Sequence, residues 1–341
     1  MFRSPLVLSL VSAAVCAVLF AGPALGQEPA ASPAKPAAPR WALAIHGGAG
    51  VISRDMPAEQ RAAYVDGMKK ALAAGKQVLA TGGTALDAVE RVLVTLEDNP
   101  LFNAGKGAVY THEGTHELDA AIMDGRDRSA GAVTGIKTVK NPIKLARLVM
   151  ERSPHVFLGY AGAEAFATQM HAERVPSSYY DTDRRYQQLQ KALEREKKTG
   201  EWTEKLGTVG AAALDTHGDL AAGTSTGGLT NKRFGRIGDS PIVGAGTYAD
   251  NDSCALSGTG QGEVFIENTV TRTIAALVEY KGMTCGEAAR QVIQHRIQQG
   301  DGGVIGVGRD GGIVWEYNTT GMFRGAATSE GRFDVKIWKD Q

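Results

Sequence analysis

The sequence predicts an α+β fold in which antiparallel sheets and helices are stacked in layers. Segments typical of strands occur in adjacent pairs, and segments typical of helices are grouped between these pairs. This order favours antiparallel sheets with helices packed outside them over a strictly alternating parallel sheet. The chain also contains 43 glycines, clustered rather than periodic. This is about twice the usual share, and it indicates tight turns and backbone close to a ligand.

The first residues predict a secretory signal peptide. Arg3 is followed by an apolar run from Leu6 to Phe20, and then by the small-residue site Ala24-Leu25-Gly26. We therefore expect residues 1–26 to be removed before Gln27, and the mature protein to be periplasmic or secreted. Residues 27–40 are rich in Ala and Pro and predict a flexible leader.

Two alternatives for this segment are less favoured. A membrane anchor needs a longer apolar run, and this one is interrupted by Gly22 and Pro23. A lipidated cysteine is usually preceded by a small residue, whereas Cys16 follows Val15. We therefore expect no membrane association once the signal is removed.

The charge balance excludes a strongly electrostatic partner. Lys and Arg number 37, as do Asp and Glu. Such a chain has no net charge to attract nucleic acid or a lipid surface. Only Cys254 and Cys285 remain after signal removal, and the sequence leaves open whether they pair or stay as buried free thiols.

The first half of the mature chain begins with a short strand that runs into His46-Gly-Gly-Ala-Gly50. Pro57 suits a first helical turn, and Thr84-Ala-Leu-Asp87 resembles a helix-capping sequence. The predicted elements are a strand at 42–45, helices at 57–79 and 84–96, a compact loop at 96–106, strands at 117–123 and 130–139, and a helix at 141–152.

The segment from Asp183 to Lys205 is dense in Arg, Lys, Glu and Gln, and predicts either an exposed helix or a mobile tether. Directly after it, residues 208–215 form a buried apolar strand. The elements predicted beyond are strands at 220–226, 241–249 and 255–258, helices at 264–280 and 287–298, a hairpin of 302–307 with 312–317, and a strand at 322–326.

Several motifs compete as the functional site. Gly223-Thr-Ser225-Thr-Gly227 fits the pattern of a serine-hydrolase elbow, but the glycines and proline that follow make the required helix improbable. Gly258-Thr-Gly260-Gln-Gly262 is a weak match to a nucleotide-binding loop. The seven histidines show no spacing typical of metal ligands.

Thr208 is a further candidate nucleophile. A threonine hydroxyl needs a base, and a free α-amine on the same residue, with a pKa of about 8, can serve. Cleavage of the Gly207-Thr208 bond would create that amine at the start of a buried strand. Spacing alone makes this plausible, but an ordinary strand start explains the same residues.

Eight motifs, in order, resemble the isoaspartyl peptidase/L-asparaginase family, the plant-type asparaginases among the N-terminal-nucleophile hydrolases. The resemblance extends from about Trp41 to Arg324 and implies a four-layer αββα sandwich. The motifs are His46-Gly-Gly-Ala-Gly50, Leu101-Phe-Asn-Ala-Gly-Lys-Gly-Ala-Val109, Glu117-Leu-Asp-Ala-Ala-Ile-Met-Asp124, Gly207-Thr-Val-Gly-Ala211, Thr224-Ser-Thr-Gly-Gly228, Gly235-Arg-Ile-Gly-Asp-Ser-Pro241, Gly258-Thr-Gly260 and Gly321-Met-Phe-Arg324.

The resemblance implies a role for each matched residue. Thr208 would cleave its own peptide bond to Gly207 and then act as the nucleophile, assisted by Thr226. Thr259 and the Gly260 amide would form the oxyanion hole. Substrate would be held by Arg236 on the α-carboxylate, Asp239 on the α-ammonium, and the neighbouring Gly238, Gly262 and, less directly, Asn103.

The loop from Leu96 to Lys106 resembles the sodium-binding loop of that family. The expected ligands are main-chain carbonyls, which suit a hard cation. They are those of Leu96, Glu97, Asn99, Phe102, Ala104 and Lys106. The ion would be structural, and no cofactor is expected for catalysis.

The resemblance also implies subunits and substrates. Residues 41–207 would form an α subunit ending in a mobile charged tether at about 183–207. Residues 208–341 would form a β subunit, with both subunits in one domain and a dimer of αβ heterodimers. The expected substrates are β-aspartyl dipeptides and L-asparagine. Glycosylasparaginase is a rival, although it usually has Asp where this chain has Gly207, and an exported amino-acid-binding protein without catalysis is a second alternative.

Overall fold

Two β-sheets stack face to face and are covered on their outer faces by helices. The computed structural model describes residues 40–200 and 207–341, all of which fall in one compact unit. The predicted signal peptide, the predicted leader up to residue 39 and residues 201–206 of the predicted tether lie outside the described residues. In the described ranges, no helix is both long enough and apolar enough to cross a bilayer.

The larger sheet has eight strands, in the order β12-β11-β1-β5-β6-β2-β3-β4. Neighbouring strands are antiparallel except β3 and β4, which are parallel. These strands are β1 (Ala42–Gly50), β2 (Leu118–Asp124), β3 (Ala130–Ile136), β4 (Phe157–Gly159), β5 (Val209–Leu214), β6 (Leu220–Thr226), β11 (Gly321–Thr328) and β12 (Phe333–Lys336).

The smaller sheet has four antiparallel strands, in the order β10-β9-β8-β7. They are β7 (Thr247–Ala249), β8 (Cys254–Gly260), β9 (Gly302–Gly308) and β10 (Ile313–Tyr317). The helices are α1 (Ala58–Ala80), α2 (Ala85–Glu97), α3 (Pro142–Arg152), α4 (Tyr160–Gln169), α5 (Asp183–Thr199), α6 (Gly262–Glu267), α7 (Val270–Lys281) and α8 (Cys285–His295), with short 3-10 turns at Gly105–Gly107 and Ser177–Tyr180.

Three apolar cores separate the four layers. Helices α1, α2 and α3 pack on the outer face of the large sheet through Leu, Val and Ile side chains. Small residues such as Ala44, Ala212 and Ala222 fill much of the space between the sheets, so the sheets approach closely. Helices α7 and α8 pack on the outer face of the small sheet. The predicted α+β αββα sandwich is therefore confirmed.

Local signals explain several element boundaries. The Thr84 side chain accepts the amide of Asp87 at the start of α2, as its capping-like sequence predicts. Thr284 and Glu287 form a complete capping box at α8. Pro142 occupies the first turn of α3, where its missing N–H costs nothing.

Some predicted elements need correction. The single helix predicted over 264–280 is two helices, because Thr269 adopts a left-handed φ of 43° between α6 and α7. Of the strand predicted over 241–249, only Thr247–Ala249 is a strand, since the preceding residues turn around Asp239. Helix α4 was not predicted, because its Ala-rich sequence has little amphipathic periodicity.

The charged segment after residue 182 is a helix over most of its length. Helix α5 runs from Asp183 to Thr199 and is capped by Thr182 and by Gly200 in the left-handed conformation. Although its composition is charged, it buries Arg185, Leu189 and Ala192. Of the two alternatives predicted for this segment, an exposed helix or a mobile tether, the structure shows a helix over residues 183–199.

Candidate active site

Thr208 lies at the entrance to β5, near the centre of the large sheet, and its side chain is buried. Gly207, to which it is bonded, packs directly against the backbone of Gly48 in β1. A Cβ on Gly207 would lie 2.5 Å from the Gly48 Cα, and a Cβ on Gly48 would lie 2.7 Å from the Gly207 Cα. Two glycines are therefore required where the chain approaches the Gly207-Thr208 bond.

The hydroxyl of Thr208 faces a second threonine. Its Oγ1 donates to the Oγ1 of Thr226 over 3.3 Å. Thr226 ends β6, the strand paired with β5, and its Oγ1 also accepts the amide of Gly228 over 3.0 Å. The predicted pairing of these two threonines is thus present in the geometry.

A third threonine approaches from the other sheet. Thr259, on β8, places its Oγ1 3.4 Å from the Thr208 nitrogen and 3.2 Å from the Ala49 nitrogen, accepting from both amides. Gly260 follows it and packs against the carbonyl of Asp301 so closely that an added Cβ would lie 2.2 Å from that oxygen. The site therefore lies where the ends of β5, β6 and β8 meet.

A buried histidine and a chain of hydroxyl groups support the backbone of Thr208. His46 Nδ1 lies 3.0 Å from the Thr208 carbonyl oxygen, and its Nε2 lies 2.9 Å from the Ser257 Oγ. A carbonyl only accepts, so Nδ1 carries the proton and Nε2 accepts from Ser257. Burial lowers the pKa of His46 to about 3, so the ring is neutral. The Ser257 Oγ is hydrogen-bonded to the Thr224 Oγ1 over 2.7 Å, and the Thr224 Oγ1 accepts a 2.7 Å hydrogen bond from the Thr247 Oγ1.

Arg236 and Asp239 lie in the irregular loop between β6 and β7, as predicted. The Arg236 guanidinium forms two 2.9 Å hydrogen bonds to the carboxylate of Glu263, on α6. Asp239 is buried, and in the described part of the chain its Oδ2 has no hydrogen-bond partner. Burial raises the pKa of Asp239 to about 6, partly opposed by the charge of Arg236. An anionic oxygen in this position is matched to an incoming cation.

Gly238 and Gly262 adjoin the guanidinium of Arg236. An added Cβ would lie 2.7 Å from Nη1 at Gly238 and 2.6 Å from Nη2 at Gly262. A Cβ on Gly262 would also lie 3.0 Å from the amide nitrogen of Asp239. Because these two predicted positions have no side chain, there is space for the guanidinium of Arg236.

Asn103 contacts the turn that follows Thr226. Its Nδ2 donates to the Gly228 carbonyl over 2.8 Å, and its Oδ1 accepts the Val109 amide over 3.0 Å. Its own carbonyl accepts the amide of Gly227 over 3.2 Å. Asn103 thus positions this turn, and its predicted contact with substrate stays a prediction.

The loop at 96–106 turns carbonyl oxygens towards its glycines. A Cβ on Gly105 would lie 2.4 Å from the Glu97 oxygen, and one on Gly107 would lie 2.1 Å from the Phe102 oxygen. Other carbonyls in the loop are already used, since those of Leu96, Asn99 and Ala104 accept backbone amides. The carbonyl oxygens of Glu97 and Phe102 are thus packed closely against the backbone of these two glycines, and the predicted sodium site stays a prediction.

The remaining motifs do not form sites of their own. Ser225 is buried within β6 and donates to Glu97 over 2.7 Å, so no helix starts at it as an elbow requires. Within 40–200 and 207–341, no group of three or more His, Cys, Asp or Glu side chains could hold a metal ion. Cys254 and Cys285 are buried free thiols, and a hydrogen bond to Cys254 together with burial raises the pKa of Cys285.

The sequence reasoning missed two features of the site. The contact of His46 with the Thr208 carbonyl joins residues 162 positions apart, and no local pattern reports it. The ion pair of Arg236 with Glu263 was also missed, although Glu263 directly follows the Gly258-Thr-Gly260-Gln-Gly262 motif.

Comparisons with known proteins agree with this geometry. The family model described as Asparaginase matches residues 39–337. An isoaspartyl peptidase of Salmonella typhimurium is 47% identical over 292 residues, covering 83% of this chain and 93% of that protein. A probable isoaspartyl peptidase/L-asparaginase 2 of Arabidopsis thaliana is 44% identical, covering 88% and 99%. The human isoaspartyl peptidase/L-asparaginase is 43% identical, covering 87% and 96%.

Proposed function

Because the chain belongs to the asparaginase family, we propose that it is a self-cleaving threonine amidohydrolase acting on β-aspartyl dipeptides and L-asparagine. The observation that carries the proposal is the position of Thr208. Its hydroxyl lies 3.3 Å from the hydroxyl of Thr226, and its backbone nitrogen lies 3.4 Å from the hydroxyl oxygen of Thr259. Gly207, the residue before it, packs closely against the backbone of Gly48. One residue thus presents a nucleophile and, once the Gly207-Thr208 bond is cut, an amine.

Maturation is an acyl shift from nitrogen to oxygen. The Oγ1 of Thr208 attacks the Gly207 carbonyl carbon, the C–N bond breaks, and the nitrogen takes up the hydroxyl proton. Water then hydrolyses the resulting ester, which leaves Gly207 with a carboxylate and Thr208 with a free α-amine. Thr226 supports the attack by accepting a hydrogen bond from the Oγ1 of Thr208, which orients that hydroxyl. Gly207 supports it by leaving its carbonyl without a side chain beside it.

The same atoms then hydrolyse substrate. An α-amine with a pKa of about 8 accepts the proton of Oγ1 as Oγ1 attacks the β-carbonyl of the substrate. The substrate C–N bond breaks, and the amine or ammonia leaves with that proton. Water releases L-aspartate from the ester and restores Thr208. Thr259 and the Gly260 amide stabilise the oxyanion, each donor contributing about 3 kcal/mol.

Substrate recognition rests on the loop that carries Arg236 and Asp239. The unpartnered Oδ2 of buried Asp239 suits the α-ammonium of an aspartyl group. Arg236 suits the α-carboxylate, which would displace or share the Glu263 carboxylate that the guanidinium now holds. Gly238 and Gly262 keep space beside the guanidinium. Both polar groups on one carbon leave the side-chain carbonyl free to reach Thr208.

Three further properties belong to this proposal. The loop at 96–106 would bind a structural Na⁺, with Glu97 and Phe102 carbonyls among the ligands. Export to the periplasm or medium follows from the predicted signal at residues 1–26. A dimer of αβ heterodimers follows from the family resemblance.

The defining experiment is electrophoresis and N-terminal sequencing of the purified protein. We expect two unequal fragments, the smaller beginning at Thr208, and a single chain for Thr208→Ala. A wild-type sample that stays intact through prolonged incubation and hydrolyses no amide would instead support the amino-acid-binding alternative.

Substrate comparison separates the enzymatic alternatives. β-Asp-Leu, L-asparagine and a glycosylated asparagine are incubated with the cleaved protein, and aspartate release is measured. We expect hydrolysis of the first two. A preference for the sugar conjugate would assign the chain to glycosylasparaginase, the rival of the same fold.

A further inference from the structure

A cavity of about 170 Å³ adjoins the bond before the nucleophile. Gly207 forms part of its wall, and the backbone of residues 47–50 forms another part. Phe102 and Phe323 give it an apolar surface, and Arg184 and Arg185 add two positive charges. The wall of the cavity therefore combines an apolar surface with two positively charged groups.

Arg185 is buried but has no anionic partner among the residues described. It is 2% exposed. Its Nε donates to the Gly107 carbonyl over 2.6 Å, and its Nη1 donates to the Gln188 side chain over 2.9 Å. No bond of Nη2 and no ion pair is present within 40–200 and 207–341. Burial lowers the pKa of Arg185 to about 10, so it remains charged at neutral pH. A buried charge without a counterion is costly unless a ligand supplies one.

Arg184 adds a second charge beside the first. Its guanidinium lies over the ring of Tyr64 at 5.5 Å and donates to the Leu101 carbonyl over 3.2 Å. The described part of the chain offers this side chain no carboxylate either. Two adjacent guanidinium groups repel each other, and the charge of Arg184 contributes to the lowered pKa of Arg185. An anion in the cavity would relieve that repulsion.

We propose that this cavity is the leaving-group subsite and that Arg184 and Arg185 bind the free α-carboxylate of the residue released from a β-aspartyl dipeptide. The inference rests on the proposed function and deepens it. A β-aspartyl dipeptide carries two carboxylates, one on each side of the bond that is cut. Arg236 and Asp239 account for the aspartyl side. The other carboxylate needs a cationic partner near residue 207, and its side chain needs an apolar wall, which Phe102 and Phe323 provide.

L-asparagine makes no use of this subsite. Its leaving group is ammonia, which has neither a carboxylate nor a side chain. The two arginines therefore favour dipeptides over asparagine without entering the chemistry at Thr208. They also favour a free C-terminus, so that longer or amidated peptides lose the interaction.

The test compares three substrates in four proteins. β-Asp-Leu, its C-terminal carboxamide and L-asparagine are assayed with the wild type, Arg184→Gln, Arg185→Gln and the control Lys191→Gln. Lys191 is an exposed cation on the same helix, so its removal changes net charge without changing the cavity. Each preparation is first shown by electrophoresis to have been cleaved into two fragments.

We expect the wild type to cleave the free acid with a kcat/KM about 10- to 100-fold above that for the carboxamide. Each arginine variant should lose about 10-fold or more on the free acid, and little on the carboxamide or on L-asparagine. Lys191→Gln should match the wild type on all three. If Arg185→Gln fails to mature, the acid and carboxamide values for the wild type and Arg184→Gln decide the question.

Two results would overturn the inference. Equal rates on the acid and the carboxamide in the wild type would mean that the carboxylate is not recognised. Equal losses on all three substrates in the arginine variants would mean that the arginines only hold the structure. A wild type that is cleaved but hydrolyses none of the three refutes the proposed function itself, and so is distinguishable from either result.

Discussion

Nδ1 of His46 donates a hydrogen bond over 3.0 Å to the main-chain carbonyl of Thr208. The contact joins β1 to the first residue of the downstream part of the chain, and the neutral ring has only one tautomer that satisfies both of its neighbours. His46 therefore positions the backbone of Thr208 and does not serve as a base, since burial holds the pKa of the ring near 3.

Gly210→Ala tests this support without altering a hydrogen-bonding group. The new Cβ would lie 1.9 Å from the Ser257 Oγ and 2.2 Å from the His46 Nε2. We expect overpacking to lower the free energy of unfolding by about 1–3 kcal/mol, and cleavage at Thr208 to slow. Urea denaturation in a Thr208→Ala background measures the first effect on an intact chain. Gly162→Ala, in α4 with open space around it, is the control and should not destabilise. An unchanged urea midpoint for Gly210→Ala would contradict the tight packing.

Asp239→Asn should stabilise the uncut protein above pH 6. Burial raises the pKa of this carboxyl from 3.8 to about 6, so the folded state disfavours the ionised form. The wild type bears this cost fully above pH 6 and loses it as the pH falls towards 3.8, where both states are protonated. The difference corresponds to about 3 kcal/mol.

The measurement is urea denaturation of Thr208→Ala with and without Asp239→Asn, between pH 4 and 8. The difference in the free energy of unfolding between the two proteins should increase as the pH rises from 4 to 6 and then stay constant. A difference in the free energy of unfolding that does not change with pH would show that ionisation of Asp239 does not destabilise the folded state. The same substitution should abolish binding of an α-ammonium in the cleavable protein.

Lys232→Met should be strongly destabilising although it removes only one charge. The ammonium of Lys232 is buried, 4.0 Å from the Asp119 carboxylate and 2.9 Å from the Glu117 carbonyl. Its removal leaves Asp119 buried and unpaired, at a cost of about 3–5 kcal/mol. Lys137 pairs with the same Glu117 by its side chain, but is half exposed. The control Lys137→Gln should therefore cost about 0–1 kcal/mol. Thermal denaturation of both variants distinguishes them, and equal losses would contradict the prediction.

Glu263→Gln should lower the KM for L-asparagine, with kcat nearly unchanged. The Glu263 carboxylate occupies the guanidinium of Arg236 through two 2.9 Å bonds, and so competes with a substrate carboxylate. A partly exposed ion pair contributes about 0.2–1 kcal/mol, which limits the gain to about fivefold. Steady-state kinetics on the cleaved protein measures it. A raised KM would mean that Glu263 instead orients Arg236 for substrate.

The elements that carry Thr208, Thr226 and Thr259 could be predicted because each of these residues lies in or directly beside a short buried strand that is flanked by glycine. Their approach to one another could be predicted only from the family resemblance, since Thr208 and Thr259 are 51 residues apart and lie in different sheets. The break at Thr269 could not be predicted, because residues 263–281 contain neither proline nor glycine and the break is made by one left-handed residue.

Charge composition left the prediction for the segment after residue 182 undecided between an exposed helix and a mobile tether. Helix α5 has few apolar residues, but the sequence does not show that Arg185 turns inwards to a main-chain carbonyl at Gly107. The long aliphatic stem of an arginine can be buried like an apolar residue, which a count of charges overlooks. The same misreading hid the basic cavity beside Gly207.

The strand order of the large sheet has a consequence for the severed molecule. β1 lies between β5 and β11, and β2 lies beside β6, so strands from before residue 207 alternate with strands from after it. The piece after residue 207 contains the whole small sheet, but neither piece contains the whole large sheet, and the two pieces cannot separate unless β1 leaves its place between β5 and β11. Refolding of the uncut chain is therefore a first-order process, whereas refolding of the nicked enzyme must begin with a collision. Recovery of the cleaved protein from denaturant should accordingly slow upon dilution, and the proposed cleavage at Thr208 would be irreversible in practice.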